Sequence, residues 1–88
     1  MIVHTLFSDS PDTLGQVLAA LLPGDVVLLA GDGCYQNARA KQVTPDADLF
    51  MLIEDARVRG VNDATARLIS DTEWVTLTAE SQQVMSWF

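Results

Sequence analysis

Two unbroken apolar runs dominate the hydrophobic pattern: Val26-Val27-Leu28-Leu29-Ala30 and Leu49-Phe50-Met51-Leu52-Ile53. Short runs without alternation predict strands buried on both faces, as in a parallel sheet covered by helices. The first begins at Asp25 and breaks into Gly31-Asp32-Gly33-Cys34. Ile2 to Leu6 predicts an earlier strand, Ala66 to Ser70 a weaker one, and Val84 to Phe88 a last one carrying Trp87. Between them the period changes. Leu14, Val17, Leu18, Leu21 and Leu22 recur at helical spacing and predict one buried stripe. Ser10 is placed to cap this helix, Pro11 suits its first position, and Asp12 complements its positive end. Pro23-Gly24 stops it. Cys34 to Lys41 predicts a short helix, and Gln42 to Ala47, with Thr44-Pro45-Asp46, a loop. Glu54 to Gly60 predicts one or two helical turns closed by Gly60, and Asn62-Asp63 a turn. Asp71 to Glu80 predicts a helix with Trp74, Leu77 and Thr78 on one face.

Strands alternating with helices predict an α/β fold, a three-layer sandwich on a mainly parallel sheet of about five short strands with right-handed crossovers. No repeat or low-complexity segment divides the chain, so residues 1–88 are expected to form a single domain.

Composition narrows the function classes. The formal net charge is −7, Lys41 is the only lysine, and the arginines are Arg39, Arg57, Arg59 and Arg67. Nucleic-acid binders neutralise phosphates with clustered basic residues, so neither direct nucleic-acid binding nor attachment to an anionic membrane is expected. Hydrophobic residues make up 49%. A domain this small leaves part of such a supply exposed, which marks a partner surface. An oligomer subunit is expected rather than a solitary monomer. A single cysteine suits a reducing compartment. Met1-Ile2-Val3-His4-Thr5 has no basic region followed by an apolar one, and no run approaches a membrane span. The expectation is a cytoplasmic protein.

Candidate chemistry concentrates after the second strand, where ligands gather in open α/β sheets. Cys34 at a helix start would feel the positive dipole, which favours a reactive thiolate. The other reading is a small buried packing residue: no His or Lys adjoins Cys34 in sequence, and Asp32 would oppose the thiolate. His4, the only histidine, is either a proton relay beside a partner's cysteine or a hydrogen-bonded strand residue. Gly31-Asp32-Gly33 is either an anion-binding nest or a structural turn; it lacks the lysine of a phosphate-binding loop and the third glycine of a dinucleotide fingerprint. Arg57 and Arg59 form a basic pair that can meet an acidic partner surface or simply face solvent. Trp74 and Trp87 read as core or interface anchors. One histidine and one cysteine make no ordinary zinc set, so no metal is expected, and nothing calls for a cofactor.

Taken together, His4-Thr5-Leu6, Pro23 to Leu29 running into Gly31-Asp32-Gly33, Ala56-Arg57-Val58-Arg59-Gly60, Asp71 to Thr78 and Val84-Met85-Ser86-Trp87 resemble the TusB/DsrH family. The resemblance covers essentially the whole chain. It implies a DsrEFH-like fold and a small subunit of a sulfur-relay complex built with TusC/DsrF-like and TusD/DsrE-like partners. In such complexes sulfur travels as a cysteine persulfide, toward the 2-thio group of the tRNA wobble uridine in the Tus branch or within sulfur oxidation in the Dsr branch. The tRNA destination is the expectation here. The resemblance places the principal persulfide cysteine in the TusD/DsrE-type subunit, which implies a non-catalytic or weakly catalytic role for this chain. Some members carry a cysteine in the first helix, near Gln16 or Val17 here, where this sequence has none. Two other readings remain: a stand-alone thiol sulfurtransferase using Cys34, and an anion-binding α/β module.

Overall fold

The computed structural model describes residues 1–43, 48–61 and 66–88. Its elements run β1 (Ile2–Leu6), α1 (Pro11–Ala20), β2 (Val26–Leu29), a 3-10 helix (Gly31–Gln36), α2 (Asn37–Val43), β3 (Asp48–Leu52), α3 (Ile53–Val58), β4 (Arg67–Ile69), α4 (Asp71–Glu80) and β5 (Gln83–Trp87). The strands form one five-stranded sheet in the order β4-β3-β2-β1-β5, and every pairing is parallel. This is the expected α/β sandwich.

Chain direction decides the layers. The steps from β1 to β4 all move one way across the sheet, so right-handed crossovers put α1, α2 and α3 on one face. The step from β4 to β5 reverses across the whole sheet and carries α4 to the other. The two cores follow. Leu6, Val27, Leu29, Leu49 and Met51 pack with Leu14 and Val17 of α1, Ala40 of α2 and Ala56 of α3. Val3, Val26, Leu28, Leu52 and Ile69 pack under Trp74 and Leu77 of α4. β2 is buried along its whole length, which is why it reads as an unbroken apolar run. The α4 face is thinly covered, since α4 buries none of its residues fully.

Local signals explain the element ends. At the end of α3, Gly60 is left-handed (φ 69°), its N–H donates to Arg57 O, and Val61 N–H donates to Ala56 O. That paired closure is the glycine C-cap expected there. Ser70 caps α4 with a reciprocal box: Glu73 N–H donates to Ser70 Oγ and Ser70 N–H to Glu73 Oε1.

Several expectations are corrected. Leu22 leaves the α1 stripe and is 60% exposed. A residue before proline is pushed away from helical angles; α1 ends at Ala20, and Leu22 N–H donates to Asp25 Oδ2 instead. Ser10 sits at the cap position, but its side chain makes no cap bond. Ile53 opens α3 rather than closing β3. The short helix expected from Cys34 is a 3-10 helix through Gln36 that becomes α-helical only at Asn37. Gln42 and Val43 are helical, while the rest of the expected loop and the Asn62-Asp63 turn lie outside the described residues.

Candidate functional site

The carboxyl ends of β1, β2 and β3 bring several candidate residues together. β2 ends at Leu29, and Ala30 N–H donates to Leu6 O of the neighbouring strand. Gly31 then turns left-handed (φ 52°), and its N–H donates to Asp55 Oδ2 of α3 at 2.8 Å. Gly33 folds back over β1. A Cβ there would lie 2.8 Å from the carbonyl carbon of Leu6 and closer still to its oxygen. Gly33 is therefore required by backbone approach.

Arg59 lies across this turn. Its Nε donates to Asp32 Oδ1 at 3.0 Å and its Nη1 to Asp55 O at 3.2 Å. Phe7 and an Arg59 nitrogen both border Gly31. Asp32, Gly33 and Arg59 thus share one place in the fold. Arg57 does not join them; it pairs with Glu54 in solvent, with 71% of its side chain exposed. The turn is also largely spoken for. Gly31 N–H serves Asp55, Gly33 N–H serves Ala30 O, and the cation above is held by the Asp32 carboxylate and the backbone carbonyl of Asp55.

Cys34 lies beneath the turn with no exposed surface. Its thiol points toward Leu29 O at 3.8 Å. Burial pushes its pKa up to about 11, the nearby Asp55 carboxylate adds to the rise, and Arg59 opposes it. A thiol so placed is protonated at neutral pH, and the thiolate is the nucleophile. Alkylation of the folded chain at pH 8 is therefore expected to be at least a hundredfold slower than in denaturant, as followed by mass spectrometry.

His4 occupies the middle of β1 and is fully buried. Trp87 Nε1–H donates to His4 Nδ1 at 3.3 Å, and the ring centroids lie 6.1 Å apart. An indole nitrogen only donates, so His4 carries its proton on Nε2, which donates to Asp25 Oδ2 at 3.0 Å. Asp25 also accepts from Ile2 N–H and Leu22 N–H. Burial alone would raise the Asp25 pKa, but the bond from His4 and the two backbone donors outweigh it and hold the carboxyl below its ordinary value. Trp87, His4 and Asp25 therefore tie β5, β1 and the start of β2 into one buried polar chain.

Sequence reasoning did not single out Asp25, Asp55 or Gln36. Asp25 stands between Pro23-Gly24 and an apolar strand, and a carboxylate in that place was the available signal. Gln36 gave none. It is buried and its Nε2 donates to Ser8 O and Ser10 O, holding the loop after β1.

A groove of about 260 Å³ lies elsewhere, between α4 and the β3–β4 edge, floored by Phe50, Ile69 and Leu77 and rimmed by Arg67, Glu73 and Glu80. None of the candidate residues lines it. Among the described residues no group of three or more His, Cys, Asp or Glu is placed to hold a metal ion. Among the same residues no helix is long and apolar enough to cross a membrane.

A family model described as DsrH-like protein matches residues 8–84. No curated protein matches the chain. The matched stretch includes Asp25, the Gly31–Cys34 turn, Arg57 and Arg59, whereas His4 and Trp87 stand on either side of it.

Proposed function

Because the chain belongs to the DsrH-like family of sulfur-relay subunits, we propose that it is a scaffold subunit of a TusBCD- or DsrEFH-like complex and carries no sulfur itself. The state of Cys34 supports this reading more than any other observation. In a persulfide relay an acceptor thiolate attacks the outer sulfur of a donor persulfide, and the inner sulfur leaves as thiolate. No oxidant is consumed, but the acceptor must be both exposed and ionised. Cys34 is buried, and its thiol is shifted toward the protonated form. The sulfur-bearing cysteine then belongs to a TusD/DsrE-like partner, with a TusC/DsrF-like chain completing the assembly. The net charge of −7 fits a subunit that meets proteins and leaves tRNA contact to others.

The test is reconstitution with both partner types. Cys34→Ser is expected to assemble normally and to leave persulfide loading of the TusD/DsrE-like cysteine within about twofold of the parent, since it removes no group on the sulfur path. Normal assembly with blocked sulfur transfer would make Cys34 a carrier. In the tRNA form of this proposal, deleting the gene lowers 2-thiouridine at the wobble position; unchanged thiolation would move the function to sulfur oxidation.

A further inference from the structure

We propose that β5 is a pairing edge for a second copy of this chain, joined antiparallel about a two-fold axis through Met85. The inference does not rest on the sulfur-relay reading.

Open sheets have two edges, and proteins usually blunt them with charge, proline, a bulge or short length. The two edges here differ. β4 has three residues and carries Arg67. β5 has five, Gln83–Trp87, and residues 81–88 contain no charged side chain, proline or glycine, in a chain that is 19% charged. None of the usual devices against edge pairing is present along β5.

The free edge also has a self-complementary pattern. In a parallel ladder alternate residues of a strand turn both backbone groups toward the same neighbour. Trp87 directs its carbonyl to β1, accepting from Phe7 N–H at 2.9 Å. Alternation then turns the N–H and C=O of Val84 and Ser86 outward. With the axis at Met85, Val84 faces Ser86 of the second copy, and the two exchange both bonds. The symmetry repeats that exchange at Ser86. A closed two-fold contact of this kind uses the same patch on both chains.

Side chains and charge favour the same occupant. Val84 is 43% exposed and Phe88 is 85% exposed; Phe88 stacks on Phe7 with centroids 5.0 Å apart. Val84 aligns with Val3 in the ladder, on the thinly covered α4 face. Two chains of charge −7 repel over most of their surfaces, and an uncharged strip is where they meet at least cost. A basic partner would find nothing along β5 to attract it.

The test uses the full chain alone. Sedimentation across the micromolar range is expected to show a species of twice 9.6 kDa, with the Val84 and Ser86 amides protected from hydrogen exchange in it. Ser86→Lys is expected to weaken association at least tenfold while thermal unfolding of the monomer stays unchanged. Should that variant fold poorly, Val84→Lys makes the same test at the partly exposed neighbour. A monomer at every concentration would overturn the proposal. A dimer with freely exchanging Val84 and Ser86 amides, or one indifferent to lysine, would do so too. Pairing of β5 only with a different protein would overturn the second-copy assignment.

Discussion

Gly33→Ala is expected to cost more than about 4 kcal/mol, the range reserved for severe steric conflict. Ala30 N–H and the turn pack Gly33 directly on the carbonyl of Leu6, and that carbonyl belongs to a central strand. Neither backbone can retreat without breaking the β1–β2 ladder, so the added methyl has no rotamer to escape into. Since whole domains are stable by only about 5–15 kcal/mol, that loss is a large share of the total, and the melting point followed by circular dichroism should fall by at least about 15 °C. Gly15 supplies the contrast. It lies within α1, with nothing within 4 Å of its missing Cβ. Gly15→Ala should therefore stabilise the chain by about 0.5–1 kcal/mol through helix propensity alone. A mild Gly33→Ala phenotype would mean that the turn does not lie against β1.

Asp25→Ala is expected to cost about 3–5 kcal/mol, because each buried donor left without its acceptor costs about 1–3 kcal/mol. It removes the acceptor of His4 Nε2–H and of two backbone N–H groups at once. For a domain of this size that corresponds to a melting point lower by about 12–40 °C. The effect should depend on pH in a definite direction. The folded carboxyl has a lowered pKa, so its stabilisation is complete above the unfolded carboxylate value near ~4 and fades as pH falls through the lower folded value. Denaturant melts of parent and variant should lie far apart at pH 7 and approach one another near pH 3. Curves that remain equally separated in acid would show that charge on Asp25 contributes nothing.

The layered sheet was legible because its signals are local. β2 and β3 announce themselves as apolar runs since both faces of each are covered, and α4 is bounded as expected from Asp71 to Glu80. Strand order follows from chain direction only once the pairings are known. The site was less legible for the same reason in reverse. Gly31-Asp32-Gly33 reads as a structural turn or an anion-binding nest, but what demands Gly33 is the Leu6 carbonyl, more than twenty residues earlier in the chain. Cys34 reads as a helix-start thiol because a 3-10 turn cannot be told from an α-turn by composition; the tighter winding ends with the sulfur beneath β2. His4 has no readable role until Asp25 and Trp87 arrive beside it through tertiary pairing.

The place of β5 also has a consequence for synthesis on the ribosome. β1 is made first, yet its outer neighbour is made last, and Trp87 stands 83 residues after the His4 nitrogen it serves. Until β5 emerges, a nascent chain can build only β4-β3-β2-β1, with β1 as a bare edge and His4 lacking its indole donor. Loop closure over such a span is slow relative to local pairing. Translation thus passes through a stage in which His4, fully buried in the finished fold, lines an open seam.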